Sequence, residues 1–130
     1  GRSLILKIED IMKKGKELPI VLPNDSLAKT LIEISSKGLG VALVVEKSGL
    51  KGIFTDGDLR RALNKKVDLL EVPISQLMSK KAKTITYSSL ATEAIKVMQE
   101  NQIYSLVVVD KKKQPIGLIR MHDLVEAGLV

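Results

Sequence analysis

Thr55 and Asp58, three residues apart, are the side chains whose types and spacing are best suited to binding chemistry. They follow an apolar stretch and open a helical pattern, so we predict that they lie at the N-terminus of a helix. There Thr55 would cap the helix and Asp58 would complete a capping box, which is a purely structural role. The same arrangement suits a sugar phosphate, because free N–H groups and the threonine hydroxyl attract phosphate, while the carboxylate accepts hydrogen bonds from ribose hydroxyls. Sequence alone leaves both roles open, and Asp56 belongs to the same candidate site.

A second copy of this pattern carries Arg120 where the first has Thr55, and it keeps the acid as Asp123. Arg120 has no acceptor and cannot cap a helix. It is either a solvated cation at the end of a strand or a guanidinium fork that binds a phosphate or carboxylate. His122, the only histidine, is either a hydrogen-bonded structural residue or a ligand contact. With no cysteine and no second histidine, we expect neither a transition-metal site nor a set of catalytic residues.

These two patterns belong to a duplication that extends over most of the chain. The stretch at 52–59 returns at 117–124, and the same order of segments precedes each copy: an apolar residue with Met, a short strand, a helix, and a valine-rich strand ending in an acid. Such a repeat predicts an α/β fold of two similar units, packed sheet to sheet with pseudo-twofold symmetry and equivalent clefts between them. Each unit would contain a β-hairpin with a parallel neighbouring strand and helices on one face.

Apolar periodicity and turn residues place the individual elements. In the first half we predict helices at 7–14, at 26–37 and from Asp56 onward, and strands at 19–22, 41–46 and 51–54. In the second half we predict helices at 74–79, 89–102 and 121–128, and strands at 83–86, 105–110 and 115–119. Several apolar side chains are expected in the core: Leu27, Leu31, Ile32, Ile34, Leu59, Ala62, Leu63 and Tyr104.

Composition narrows the classes of function. The chain has 130 residues and a formal charge of +6, which favours anionic partners such as phosphates, nucleotides or nucleic acid. Its aromatic residues are one Phe and two Tyr, too few for the stacking surfaces that single-stranded nucleic acid requires, and its basic residues form short scattered runs. No apolar stretch approaches the length of a membrane span, and the absence of cysteine is compatible with a cytoplasmic location.

The repeat order and the Gly-Ile-Phe-Thr-Asp-Gly-Asp-Leu motif at 52–59 resemble the cystathionine β-synthase (CBS) domain, and the whole chain is similar to a tandem CBS pair. The resemblance implies two βαββα-type repeats. Its boundaries would be a linker at 1–7, repeat 1 at 8–66, a linker at 67–73 and repeat 2 at 74–130. In CBS domains the matching threonine and aspartate hold the phosphate and ribose of nucleotides, which implies these roles for Thr55 and Asp58.

A narrower resemblance, carried by the segments at 1–12, 38–40, 52–61 and 121–124, is to the C-terminal part of bacterial D-arabinose-5-phosphate isomerases. In that family a sugar isomerase (SIS) domain precedes the CBS pair. The resemblance therefore implies that this chain is part of a longer isomerase and has no isomerase activity of its own, because the catalytic residues would lie in the SIS domain.

The same resemblance implies a regulatory role. The pair would bind a nucleotide or nucleotide sugar between its repeats and modulate the SIS domain, without a cofactor and with neither nucleic acid nor a membrane as partner. Candidate effectors are AMP, ATP and CMP-Kdo, the activated sugar acid made downstream of arabinose 5-phosphate. A homodimer is also expected, since CBS pairs commonly associate and the apolar helix faces are numerous. Two other functions stay open: a structural oligomerisation module without a ligand, and nucleic-acid binding.

Overall fold

The computed structural model describes residues 5–65 and 68–130. They form two compact units, one built from Glu17–Ala82 and the other from the chain up to Lys16 together with Lys83–Val130. Residues 1–4 of the first predicted linker, residue 66 at the end of predicted repeat 1 and residue 67 of the second predicted linker lie outside the described residues. The α-helices are α1 (Leu27–Lys37), α2 (Asp56–Ala62), α3 (Ala91–Asn101) and α4 (Met121–Glu126). The strands are β1 (Lys13–Lys14), β2 (Ile20–Val21), β3 (Val41–Glu46), β4 (Gly49–Thr55), β5 (Thr84–Thr86), β6 (Ser105–Val109) and β7 (Pro115–Arg120).

Both units contain the predicted hairpin with a parallel neighbour. In the first unit the sheet order is β2-β3-β4, with β2 parallel to β3 and β3 antiparallel to β4. In the second unit the order is β1-β7-β6-β5, with β5 parallel to β6 and β6 antiparallel to β7. The central strands β3 and β6 are almost fully buried, as their near-continuous valine and leucine content predicts for strands covered on both faces.

The helix α1 begins and ends where capping chemistry predicts. Ser26 Oγ accepts a hydrogen bond from the Lys29 N–H at 3.1 Å, which satisfies one of the free donors at the start of α1. At the other end Gly38 adopts a left-handed conformation with φ 72°, and its N–H donates to the Ile34 carbonyl. In α3 the left-handed position is taken by Gln102 rather than by glycine, with φ 54°.

The segment that precedes each repeat differs most from expectation. Residues 7–14 were predicted to be helical, but only Ile8–Asp10 forms a short 3-10 helix, and Lys13–Lys14 is strand β1. The helical prediction was therefore wrong for residues 11–14, and likewise for residues 77–79, since only Ile74–Gln76 is helical in that segment. The physical reason is that each segment pairs with a hairpin strand instead, Lys13 with Leu118 of β7 and Ser79 with Ile53 of β4, which covers backbone hydrogen-bonding groups at the edge of that strand.

Two equivalent segments, residues 8–14 and residues 74–79, are called the leading segments here because each comes before the first strand of its predicted repeat. Each of them completes the core of one compact unit. Ile8 is fully buried in the unit that contains β5–β7, where its N–H donates to the Ser89 carbonyl. In the other unit Ile74, at the start of a 3-10 helix at Ile74–Gln76, is fully buried beside Phe54, and its N–H donates to the Asp25 carbonyl. Each sheet is therefore completed by a segment that lies outside its hairpin and long helix.

Three side chains expected in the core are exposed. Ile32 lies about 140° around α1 from the buried Leu27 at 100° per residue, so it faces away from the core. Leu63 follows the last helical residue of α2, and Tyr104 lies in the connection between α3 and β6. Apolar character alone did not distinguish these positions from the buried ones. Among the described residues, none of the helices has the length and apolar character needed to cross a membrane.

We expect Gly52→Ala to lower the free energy of unfolding by about 1–3 kcal/mol, the usual cost of overpacking. A Cβ at this position in β4 would lie 2.5 Å from the Ser79 carbonyl oxygen, a backbone atom that cannot move without breaking the pairing of Ser79 with Ile53. Urea unfolding followed by circular dichroism measures the effect.

The matched control is Gly117→Ala in β7. There the nearest atom to the added Cβ is the Met12 sulfur at 2.5 Å, the flexible end of a side chain, and the Lys13 carbonyl oxygen is farther away at 3.0 Å. Its cost should be smaller. A Gly52→Ala protein as stable as wild type would contradict the close approach.

Candidate ligand site

The first candidate site is built at the junction where β4 ends and α2 begins. Thr55 is the N-cap residue of α2, with an extended backbone. Its N–H donates to Asp58 Oδ2 at 2.9 Å, and the Asp58 N–H lies 3.5 Å from Thr55 Oγ1. This is the predicted capping box, and it places both candidate side chains within one helical turn.

The Asp58 carboxylate accepts four hydrogen bonds, although the residue is only 3% exposed. Oδ2 accepts from the Thr55 N–H and from the Thr55 hydroxyl at 3.1 Å. Oδ1 accepts from the Ser79 hydroxyl at 2.6 Å and from Arg61 Nη2 at 2.7 Å. A carboxylate offers about four lone-pair positions, so the donors of the protein itself fill this acceptor.

The surroundings of Asp58 act on its pKa in opposite directions. Burial raises the pKa, because it disfavours the charged form. Hydrogen bonds from Ser79, from Arg61 and from the backbone and hydroxyl of Thr55 lower it, and together they outweigh burial. The pKa of Asp58 therefore lies below its ordinary value, and the group is a carboxylate at neutral pH.

Two donors to Asp58, Ser79 and Arg61, were not among the sequence-predicted site residues. Arg61 follows Asp58 by three residues, and this helical spacing for an ion pair could have indicated it. Ser79 is distant in sequence and carries no local signal. The internal repeat provides an indirect signal for Ser79. Met78-Ser79 occupies the same place in the first unit as Met12-Lys13 in the second.

The second copy is arranged differently because Arg120 replaces the threonine. The Arg120 N–H donates to Asp123 Oδ2 at 2.9 Å, which retains half of the capping box. The guanidinium of Arg120 also binds this carboxylate, through Nε to Oδ2 and through Nη2 to Oδ1. Lys13 Nζ lies 3.9 Å from Asp123 Oδ1. The Arg120 side chain is only 17% exposed, so most of the guanidinium is withdrawn from solvent, and its Nε and Nη2 atoms are both bound to Asp123.

The other two sequence-predicted site residues lie at the surface. Asp56 is the first residue of α2 and is exposed. His122 is largely exposed in α4, with Nε2 3.1 Å from Glu126 Oε1 one helical turn later. The structure thus brings Thr55 together with Asp58 and Arg120 together with Asp123. It shows no contact of Asp56 or His122 with either carboxylate in the part of the chain that it describes.

Comparison with models of protein families identifies the family to which both segments with a capped acid belong. The model of the CBS domain matches residues 8–65 and residues 74–129. This chain belongs to the CBS domain family. Both matched segments contain a strand-to-helix junction with its acid, Asp58 in the first and Asp123 in the second.

Curated relatives of this CBS pair are similar along the whole chain. Arabinose 5-phosphate isomerase KdsD of Pseudomonas aeruginosa is 49% identical over 131 residues, which is 100% of this chain and 40% of the relative. KdsD of Escherichia coli is 38% identical over the same extent. The chain therefore spans about two fifths of the length of the curated relatives that it matches.

Solved structures confirm the predicted tandem CBS fold. The structure of CBSX2 in complex with AMP matches with a TM-score of 0.83 and 23% identity, covering 95% of this chain and 96% of that chain. The CBS domain pair of protein MJ0100, in complex with 5′-methylthioadenosine and S-adenosyl-L-methionine, matches with a TM-score of 0.83 and 19% identity, with the same coverage. At these identities the likeness establishes the fold.

We expect the stabilising contribution of Asp58 to depend on pH. Its folded-state pKa lies below the unfolded value of about 4, so the carboxylate contributes fully above that pH. The contribution is lost as the pH falls from about 4 through the folded-state pKa. In Asp58→Asn the amide nitrogen cannot accept, so donors are left unpaired at a cost of about 1–3 kcal/mol at neutral pH. The difference in unfolding free energy between wild type and Asp58→Asn, measured in urea, should stay nearly constant above about pH 5 and shrink as the pH falls below the unfolded pKa of about 4.

The matched control is Asp56→Asn, which removes an exposed acid from the same helical turn. It should change the unfolding free energy by at most about 1 kcal/mol, the usual size of a helix-dipole effect. Parallel stability curves for wild type and Asp58→Asn across this pH range would show that the carboxylate is not held in its charged form.

Proposed function

We propose that this CBS pair is the regulatory module of a cytoplasmic arabinose 5-phosphate isomerase, and that it binds a nucleotide or nucleotide sugar at Thr55 and Asp58. The isomerase chemistry would be carried by an SIS domain in the remainder of the parent protein. Support for the parent activity comes from the KdsD relatives, which match every part of this chain at 38–49% identity. Because the matched region is two fifths of each relative, the catalytic function is assigned to the parent protein and not to these residues.

The single observation that carries the ligand proposal is the chemistry gathered around Asp58. A buried carboxylate accepts hydrogen bonds of the kind that sugar hydroxyls donate, and the exposed guanidinium of Arg61 beside it attracts an anion. Thr55 adds a hydroxyl within 3.1 Å of the same carboxylate. A molecule with both hydroxyl and phosphate groups matches this combination. Nucleotides and nucleotide sugars are such molecules, and AMP is the ligand named for the CBSX2 structure.

Regulation would follow from linkage. A ligand that binds one arrangement of the CBS pair more tightly shifts the population toward that arrangement, by no more than its difference in affinity. If the isomerase part of the parent favours one arrangement too, the ligand and the catalytic reaction become coupled. The direction of this coupling, activation or inhibition, depends on which arrangement the isomerase part favours.

A second candidate function is supported by exposed apolar side chains. Leu63, directly after α2, and Val125, in α4, are both exposed although large and apolar. Exposed apolar side chains can form contacts between copies of a chain when they belong to larger patches. The pair would then serve as a homodimerisation module, with or without a nucleotide.

We expect AMP, ATP or CMP-Kdo to raise the Tm of the wild-type chain, since a ligand selective for the folded state stabilises it by mass action. Calorimetric titration of the responding ligand should show that Asp58→Asn weakens binding by about 1–3 kcal/mol, the range for hydrogen bonds to charged groups. Thr55→Ala should weaken binding as well and cost up to about 2 kcal/mol of stability through the lost cap.

Two controls separate binding from folding. Thr55→Ser keeps the hydroxyl and should retain affinity, while Asp123→Asn removes the acid of the second copy and should leave affinity at the first site unchanged. All titrations are made well below the Tm of each variant. Equal affinity in wild type, Asp58→Asn and Thr55→Ala would exclude this site. No Tm response to any of the three ligands, together with a concentration-dependent dimer in light scattering, would favour the oligomerisation function instead.

A further inference from the structure

The four hydrogen bonds at Asp58 create a problem for any ligand that is to use this carboxylate. Both oxygens already accept two donors each, from Thr55, Ser79 and Arg61. A ligand hydroxyl therefore finds no unoccupied acceptor position until one of the donors of the protein leaves. The donor that leaves determines what the ligand must offer in return.

The structure distinguishes the three donor residues by how firmly they are held. The Thr55 N–H and hydroxyl are part of the capping box that starts α2. Ser79 is fixed through its backbone, because its N–H donates to the Ile53 carbonyl at 2.8 Å and its carbonyl accepts from the Ile53 N–H at 3.0 Å. The backbone of both residues is therefore held beside the carboxylate, and the Ser79 hydroxyl makes a 2.6 Å bond to Oδ1.

Arg61 is the donor that is free to move. Its side chain is 70% exposed, and its guanidinium lies over Gly57, where an added Cβ would meet Nη1 at 3.3 Å. Removing this guanidinium from Asp58 breaks a single 2.7 Å hydrogen bond to Oδ1, and water readily solvates the released charge. The guanidinium is exposed, so its own release costs little, but Asp58 is buried, so the bond lost at Oδ1 has to be replaced by a donor from the ligand.

We infer that Arg61 is exchanged when a ligand binds: a ligand hydroxyl replaces its guanidinium on Asp58 Oδ1, and the released guanidinium binds an anionic group of the same ligand. This inference rests on the proposed function and defines the ligand class more closely. The molecule must carry a hydroxyl donor and a phosphate within reach of one arginine side chain. A nucleoside without phosphate must displace Arg61 and gains no ion pair in return. Arg61 is thereby a specificity-determining residue for phosphorylated over unphosphorylated sugars.

The second copy cannot carry out this exchange. Arg120 binds both oxygens of Asp123 through its N–H, Nε and Nη2, and its side chain is only 17% exposed. Lys13 adds a second cation 3.9 Å from Oδ1. Releasing Asp123 would break several buried bonds, so the exchange is confined to Asp58.

The test compares AMP with adenosine on the wild-type chain and on Arg61→Met by calorimetric titration. Arg61→Met should weaken AMP binding about ten- to a hundredfold, the factor for losing a hydrogen bond between charged groups. The same variant should bind adenosine at least as tightly as wild type, because the competing donor on Oδ1 is gone. Arg61→Lys should restore part of the AMP affinity, since it keeps the charge and loses the fork.

Arg60→Met is the matched control, because it removes an exposed arginine from the same helix and should change neither affinity. An Arg61→Met protein that weakens AMP and adenosine equally, or that alters neither, would overturn the exchange while wild-type AMP binding still supports the proposed function. If AMP, ATP and CMP-Kdo all fail to bind the wild-type chain, the proposed function fails and the exchange fails with it.

Discussion

The hydrogen bonds of the Asp58 carboxylate are the interaction on which the first unit most depends. They join three parts of the chain: the cap of α2 through Thr55, the surface of the same helix through Arg61, and the segment after the 3-10 helix at Ile74–Gln76 through Ser79. Because the acid is buried, each donor also offsets the cost of keeping the group charged. A single carboxylate thereby joins the start of a helix to the covered edge of β4, and it also binds an exposed cation.

Close backbone approach makes this arrangement possible. Gly52 allows Met78 and Ser79 to lie against β4, and Gly117 allows Met12 and Lys13 to lie against β7. In each unit the residue after the methionine then reaches the acid of the strand-to-helix junction, as a hydroxyl in the first and as an ammonium in the second. The two repeats therefore share one framework but differ in charge, since the acid of the second repeat faces two cations, Lys13 and Arg120. The framework is the same in both units, and the different donor residues give the two acids different surroundings.

Much of this fold could be predicted from local sequence features. The serine cap and glycine end of α1, the valine-rich strands and the threonine–aspartate pair each depend on residues within a few positions of one another. The structure of the leading segments could not be predicted from local features, because the strand that pairs with β1 is β7, which lies far along the chain. The hydrogen bond from Ser79 to Asp58 is unpredictable from local sequence for the same reason. The role of Arg120 stays open at the level of sequence, because sequence does not indicate which acceptor a guanidinium binds. Exposure at Ile32 and Leu63 likewise depends on which helix face the sheet covers.

The most direct test of this account is the titration of the Asp58 side-chain carboxyl in the free protein, followed by carbon-13 nuclear magnetic resonance. Four donors around a buried acid that remains charged predict a pKa below the ordinary aspartate value of about 3.9. They also predict that the value rises when the Ser79 hydroxyl is removed by Ser79→Ala. An Asp58 pKa at or above the ordinary value would contradict the account, because burial would then outweigh the donors and the carboxylate would not be the acceptor that organises the site.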